Sequence, residues 1–229
     1  MSRTEARGSL TVALWITAQA ATVALACLLL LSPSLARAAR ELLPLIPEHE
    51  IVTARALLLS AALVILVLRM ALTSLVLLPR RIEAAEALVV GVWLAAIHLG
   101  MALAAVGNPA SVGLPAIAGA VLFLAGSLIN TGSELQRKRF RQNPRNKGHL
   151  FTAGLFRYSM HINYFGDIVW AIGLSLLTAT LWSAAIPIIM TAMFVWVHVP
   201  RLDSHLAAKY GAEFEAYRRS TKKLVPWIY

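Results

Sequence analysis

The chain has 229 residues, 59% hydrophobic and 14% charged, where an ordinary soluble domain carries about 25% charged residues. That composition excludes a pair of soluble domains and points to one compact integral membrane unit. The formal net charge of +10 is first a matter of membrane topology, with Lys and Arg collected in cytoplasmic loops, and nucleic acid is not expected as a partner.

A helix needs about 20 mostly apolar residues to cross the hydrocarbon core. The first such stretch covers 9–32. Arg3 and Arg7 precede it and the small-rich Ser34-Leu35-Ala36-Arg37-Ala38 follows, as in a secretory signal. The apolar run Leu10 to Leu31 is 22 residues, longer than the roughly 7–15 of a signal core, so a spanning helix is expected. It holds Cys27, the one cysteine of the chain, which excludes an intrachain disulfide and a thiolate metal site.

Residues 52–78, 84–106 and 113–130 are the next three expected spans. Arg69, in the second, can snorkel to the interface. Arg80, Arg81, Glu83 and Glu86 read as a charged turn before the third, which contains His98. The block 166–199 is apolar for 34 residues and holds Pro187 near its middle. It is too long for one helix, so two helices joined near Thr178–Ala185 are expected. The fold class is thus an all-α integral membrane bundle of about six transmembrane helices.

The charges orient it. With both termini cytoplasmic, the inside segments 1–8, 79–83, 131–165 and 200–229 contain 17 of the 21 Lys and Arg residues, as the positive-inside rule requires. Composition also divides the chain into a nearly featureless hydrophobic four-helix half, 1–130, and a half, 131–229, whose polar stretches are basic and aromatic. A bacterial inner membrane is the expected location, because the Ala, Leu and Arg richness is that of a GC-rich genome.

The polar stretches hold the candidate chemistry. Asn130, Glu134, Arg137 and Arg141 fall at i, i+4, i+7 and i+11, one face of a helix. Such a stripe can hold phosphates through bidentate Arg contacts, or simply face lipid headgroups, and spacing leaves both open. Asn143-Pro144-Arg145-Asn146-Lys147-Gly148 is a loop rich in breakers. Asn163 and Asp167 share a face at i, i+4 at the entry to the fifth span, where a carboxylate needs a partner and Arg or Lys of 137–141 is available. Arg201, Asp203 and His205 alternate and do not share one helical face, and Trp227 and Tyr229 read as interfacial anchors. There is no GxGxxG, Walker loop, HExxH or Gly-x-Ser-x-Gly, which excludes a soluble Rossmann cofactor site, and no ligand cluster supports a metal.

Three runs carry a resemblance. "FRQNPRNKG" (140–148), "GLFRYSMHINYFGD" (154–167) and "KYGAEFEAYRRSTKKLVPWIY" (209–229) resemble the steroid 5α-reductase-like membrane family, whose bacterial members read "FRxNPxNKG", "GLxRYSRHPNYFGE" and "YGxxYxxYRRxTxxFIPW". Sterol Δ14-reductases share these elements, and isoprenylcysteine carboxyl methyltransferases share a looser form. The resemblance covers about 131–229; before it, only the "LPRR" turn is similar. It implies a polar, cytoplasm-facing cavity for NADPH. Asn130, Glu134, Arg137, Arg141, Asn163, Tyr164, Asp167, Arg201, Asp203 and His205 are the cofactor-binding residues the resemblance implies. The implied reaction is reduction of a lipophilic unsaturated substrate, steroid- or isoprenoid-like, in contact with membrane lipids. His98, a hydrogen-bonded packing residue or the catalytic proton donor, is offered for the latter because the hydrophobic half has few other candidates. The alternatives are an S-adenosylmethionine-dependent methyltransferase using the same cavity and a non-catalytic lipid-binding protein. The sequence departs from the pattern at Met160-His161-Ile162, where the family has Arg-His-Pro, and in lacking the early Glu and Tyr that polarise an enone in steroid reductases.

Overall fold

The computed structural model describes residues 3–77 and 82–229, with side chains from residue 10 onward. Arg80 and Arg81, with the rest of the Leu-Pro-Arg-Arg turn, lie outside the described residues, as do the side chains of Arg3 and Arg7. Among the described residues all regular structure is helical: α1 Arg3–Leu31, α2 Pro33–Leu42, α3 Thr53–Leu72, α4 Ala84–Val106, α5 Leu114–Gln142, α6 Ile162–Thr178, α7 Ala185–Met193, α8 Val199–Tyr210 and α9 Ala212–Ser220. Five stretches are long and apolar enough to cross a bilayer: Leu10–Leu31, Thr53–Leu77, Ala84–Val106, Leu114–Gln142 and Leu181–Tyr210. Ile162–Thr178 is a shorter apolar helix. The protein is therefore an all-α membrane bundle with about five spanning helices.

Two boundaries differ from expectation, each for a local reason, and a third falls where expected. The segment after α1 is not plain loop: Ser32 caps α2 by accepting from the Leu35 amide, and Pro33 takes the first helical position, where a missing N–H costs nothing. α5 continues twelve residues beyond the apolar stretch, to Gln142, because its basic end keeps good helix formers and places Arg139 and Arg141 at the negative end of the helix dipole. Pro187 does not break the second half of the 166–199 block. It sits in the first turn of α7, where proline is tolerated, and the block divides where expected, between Thr178 and Ala185, with Ala179 at φ of 55°.

The chain forms two compact units, Met1–Phe123 with Ile172–Ile186, and Leu124–Ala171 with Pro187–Tyr229. In the first, α1 packs against α4 and α3. Close approach at Gly119 and Gly173 depends on their lacking a side chain: a Cβ on Gly173 would lie 2.3 Å from the Phe123 amide nitrogen, and one on Gly119 2.8 Å from the Gly173 carbonyl oxygen. Arg55, 2% exposed, ties the loops of this unit. It donates from Nη1 to Leu177 O (2.6 Å), from Nε and Nη2 to Ala110 O (both 3.1 Å) and from Nη2 to Ser111 O (2.8 Å). Asn108 Nδ2 adds bonds to the carbonyls of Thr178 and Ala179. Five carbonyls at the end of α6 and in the α4–α5 loop are thereby satisfied.

The second unit uses the same device at another glycine pair. A Cβ on Gly126 would lie 2.3 Å from the Trp170 amide nitrogen and 2.5 Å from Gly166 O. Here the C-terminal stretch of α5 and the start of α6 approach at backbone distance, which brings Asn130 against Asn163. A buried cluster of Met160, Phe214 and Tyr217, packed with Leu150, Leu206, Ala207 and Tyr210, sits beneath α8 and α9.

Candidate functional site

The polar residues of the second unit form one continuous set of bonds. On α5, Arg137 makes a two-pronged ion pair with Glu134, Nε to Oε2 at 3.2 Å and Nη2 to Oε1. The Asn163 amide donates to the same Glu134 Oε1 (3.1 Å), and Asn130 Nδ2 donates to Asn163 O (3.1 Å). The expected α5 face is thus real, and it is locked to the first turn of α6. Arg137 also lies over the Phe156 ring, 5.3 Å from its centroid, a cation–π contact that fixes its plane.

The loop between α5 and α6 is held down from several sides. Asn143 caps the short turn Pro144–Asn146 by accepting from the Arg145 amide. Asn146 Nδ2 donates to Phe140 O, and Gln136 Oε1 accepts from the Leu155 amide. Phe140, Phe151 and Phe156 pack in series, the first pair tilted and the second edge to face, with centroids 4.9 and 5.6 Å apart. The C-terminal tail then straps the loop: Met160 and His161 amides donate to the carbonyls of Lys222 and Lys223 at 2.8 and 3.1 Å, and Ser159 Oγ donates to Leu224 O at 2.8 Å.

Between these pieces lies a cavity of about 160 Å³. Arg137, Arg141, His205 and Lys209 supply its polar wall with Asn163; Phe140, Phe151, Phe156 and Tyr210 supply an aromatic wall; Met160, Tyr217 and leucines of the loop and α8 close it. Among the described residues no carboxylate lines it. The Tyr217 hydroxyl donates to Phe156 O at 2.6 Å. Burial holds the Tyr217 phenol well above its ordinary range, against the opposing pull of Arg137.

Four of the residues singled out in the sequence line the cavity: Arg137, Arg141, Asn163 and His205. Asn130 and Glu134 stand behind them through the bonds above. Asp203 holds His161, Nε2 to Oδ1 at 2.8 Å, and Lys223 approaches its other oxygen at 3.4 Å. Tyr164 stacks between His161 and Phe194, with ring planes 8° apart on both sides. Asp167, expected to turn to the basic residues of α5, accepts from the Trp170 indole at 2.7 Å. Neither it nor Tyr164 nor the exposed Arg201 is part of the cavity wall. His98 belongs to the first unit, fully buried, with Nδ1 2.9 Å from Thr22 Oγ1. No group of three His, Cys, Asp or Glu side chains among the described residues is placed to hold a metal ion.

Sequence reasoning missed His161, Lys209, Tyr210 and Tyr217 as parts of the site. All four lie inside the runs that carry the resemblance, so position within a motif was the available signal.

A dinucleotide fits this chemistry in part. At about 160 Å³ the cavity is below the roughly 300–1,000 Å³ common for whole ligands, so it has room for one end of such a molecule at most. Three permanent cations beside packed aromatic rings suit a phosphate next to a planar base.

The chain is 33% identical over 96 residues to the Probable O-methyltransferase ustE of Ustilaginoidea virens, covering 41% of this chain and 34% of that protein. It is 31% identical over 121 residues to the Delta(14)-sterol reductase erg24 of Schizosaccharomyces pombe, covering 45% and 28%. It is 30% identical over 131 residues to the Delta(14)-sterol reductase of Methylotuvimicrobium alcaliphilum, covering 49% and 30%. The chain spans about a third of the length of these relatives. It is a distant homologue within a membrane superfamily of sterol-reductase and isoprenylcysteine-methyltransferase type. Residues 87–221 match the model of a protein family of unknown function, and with more than half of its length so matched the chain belongs to that family, DUF1295.

Proposed function

We propose that this protein is a membrane-embedded, NADPH-dependent reductase of a lipophilic unsaturated substrate. The observation that carries the reading is the wall of the second unit's cavity, where Arg137, Arg141 and Lys209 stand with His205 and no carboxylate. Such a wall favours a ligand with several negative charges, and an Arg-rich pocket is what accommodates the extra phosphate of NADPH. S-adenosylmethionine brings a sulfonium cation and would meet repulsion there. NADPH, when bound, supplies the hydride.

The chain's own residues hold and orient. Arg141 and Lys209 neutralise phosphate, while Arg137 is fixed in plane by Glu134 and Phe156 and presents a preset donor. Asn163, its amide held by Glu134, offers its remaining polar capacity to the cavity. Asp203 and His161 brace the strap that closes the site, and Tyr164 stiffens His161 by stacking. His205 adds a polar group to the wall, Arg201 sits outside it, and Asp167 orients α6 through Trp170. The proton that accompanies hydride comes from a protein acid, for which His98 is the candidate in the first unit. The finer topology belongs to the same proposal: six spans, counting the short helix α6, both termini and the basic segments on the cytoplasmic side of a bacterial inner membrane, and the cofactor-binding part within 131–229.

The test is thermal unfolding of the detergent-purified protein with each cofactor. NADPH at 100 times its Kd should stabilise by about 2.7 kcal/mol, and Arg141→Ala should abolish the shift without lowering the unliganded Tm. A second reading, methyl transfer, is favoured by the 33% identity to an O-methyltransferase. Stabilisation by S-adenosylmethionine and not NADPH would replace the first reading with it. No shift with either at millimolar concentration leaves a lipid-binding protein without a nucleotide cofactor.

A further inference from the structure

Three buried polar atoms of the first unit have no hydrogen-bond partner where α1 meets α4: Trp15 Nε1, Gln19 Oε1 and His98 Nε2. Trp15, Gln19 and Thr22 follow one another at i, i+4 and i+7, one face of α1. Gln19 Nε2 donates to Gly91 O (3.2 Å), and the Trp15 indole lies against the same glycine, whose added Cβ would sit 3.4 Å from Trp15 Nε1. His98, two turns further along α4, meets Thr22 at 2.9 Å. Packing alone gives no reason for such atoms in a span, where apolar side chains fill the space without an unsatisfied group.

The bonds that are made decide what the free atoms can do. Gly91 O can only accept, so Gln19 turns its NH2 toward it and leaves Oε1 as a bare acceptor. Thr22 has a single hydroxyl hydrogen and lies 2.9 Å from Gln19 O, which can only accept it. The Thr22 lone pair therefore faces His98 Nδ1, and Nδ1 carries the ring hydrogen. In the neutral ring Nε2 is then an acceptor. The seam presents one donor and two acceptors, none charged.

We infer that this seam binds the hydroxyl group of an uncharged lipophilic alcohol. The hydroxyl hydrogen goes to His98 Nε2 or Gln19 Oε1, and on the Gln19 side the hydroxyl oxygen can accept from Trp15 Nε1–H. A ketone or aldehyde oxygen offers no hydrogen and leaves both acceptors empty; an anion meets two lone pairs. The inference rests on the reductase reading only in making this alcohol the substrate, which would then bear a hydroxyl as well as its double bond. It also gives neutral His98 the role of hydrogen-bond acceptor, so that His98 delivers a proton only from its protonated form.

The experiment uses the full chain in phosphatidylcholine nanodiscs, with farnesol and cholesterol each measured against its methyl ether, and farnesal against farnesol. At least one alcohol should bind about tenfold or more tighter than its ether, because a site built to bond a hydroxyl rejects the analogue lacking it; farnesal should bind like the ether. His98→Phe and Gln19→Leu should each reduce the preference to within about twofold, while Arg141→Ala leaves it unchanged. Should His98→Phe fail to fold, Thr22→Val, which removes the acceptor that sets the ring hydrogen, should weaken the preference with the imidazole in place. Equal binding of alcohol and ether, or a preference that survives these variants, overturns the inference. NADPH stabilisation is measured on the same samples: present without alcohol preference, it sinks this inference alone; absent with the preference intact, it sinks the reductase reading alone.

Discussion

The two units use their buried polar groups in opposite ways. In the first, they fall into separate groups: Arg55 ties three backbone carbonyls by itself, Ser175, Thr178 and Ser183 bond to one another, and the seam of Trp15, Gln19 and His98 leaves three atoms unpaired. In the second, Asn130, Asn163, Glu134 and Arg137 join in one chain of bonds, and Ser159, Met160 and His161 bind the C-terminal tail over several more. In a hydrophobic half the background is set by lipid, so each polar residue that persists has a task of its own. In a polar half the task is shared, and no single bond carries it. Single substitutions should therefore cost most in the first unit and be buffered in the second.

The largest expected effect tests this directly. Arg55→Met leaves the carbonyls of Ala110, Ser111 and Leu177 without their donor, and should lower stability by roughly 3–5 kcal/mol, as when one partner of a buried charged network is removed. Glu134→Gln, in the second unit, keeps acceptor capacity for Asn163 and should cost about 1 kcal/mol. Chemical unfolding in mixed micelles reads both. Equal losses would erase the contrast between the units.

Next comes backbone packing, where the units should behave alike. Gly126→Ala places a methyl group against the Trp170 and Gly166 backbones, neither of which can yield, and should cost about 3 kcal/mol by overpacking. Gly132→Ala lies in the same helix, with its nearest neighbour, the Leu155 side chain, at 3.7 Å. It should be neutral or gain up to about 1 kcal/mol of helix propensity. A similar loss at both positions, measured as Tm in one detergent, would show that α5 tolerates no alanine for some reason other than close approach.

These contrasts also mark what the sequence disclosed. The face Asn130, Glu134, Arg137, Arg141 was legible because helical spacing is local, and all four now cluster at or behind one cavity. The capping of α2 was equally local, a Ser followed by Pro, but its short run of Ala and Arg read as loop beside such strong apolar signals. For Asp167 the sequence offered the nearest charges as partners, and the structure adds an indole three residues on, Trp170, which donates to its carboxylate. His161 and Asp203 lie 42 residues apart, and Tyr217 and Phe156 61 apart. No periodicity reports such pairs; they exist because the tail folds back over the loop. The empty acceptors of the α1–α4 seam were illegible for a further reason. An unpaired atom is defined by everything around it, which a string of residues does not contain.

A modest effect, close to that of Glu134→Gln, probes the buffered unit where it is most buried. Tyr217→Phe removes the hydroxyl that donates to Phe156 O and should cost about 1–1.5 kcal/mol near neutral pH. The sign of its pH dependence follows from burial. The folded phenol is held above the unfolded value of about 10, so the folded state keeps its proton more tightly. That stabilisation is complete below about pH 10 and is lost as pH rises toward the folded value. The difference in stability between wild type and Tyr217→Phe should therefore be flat from pH 7 to about 9.5 and shrink above about 10. A difference already shrinking near pH 8 would mean that the phenol reaches water, and that the aromatic cluster under the cavity is looser than its hydrogen bonds imply.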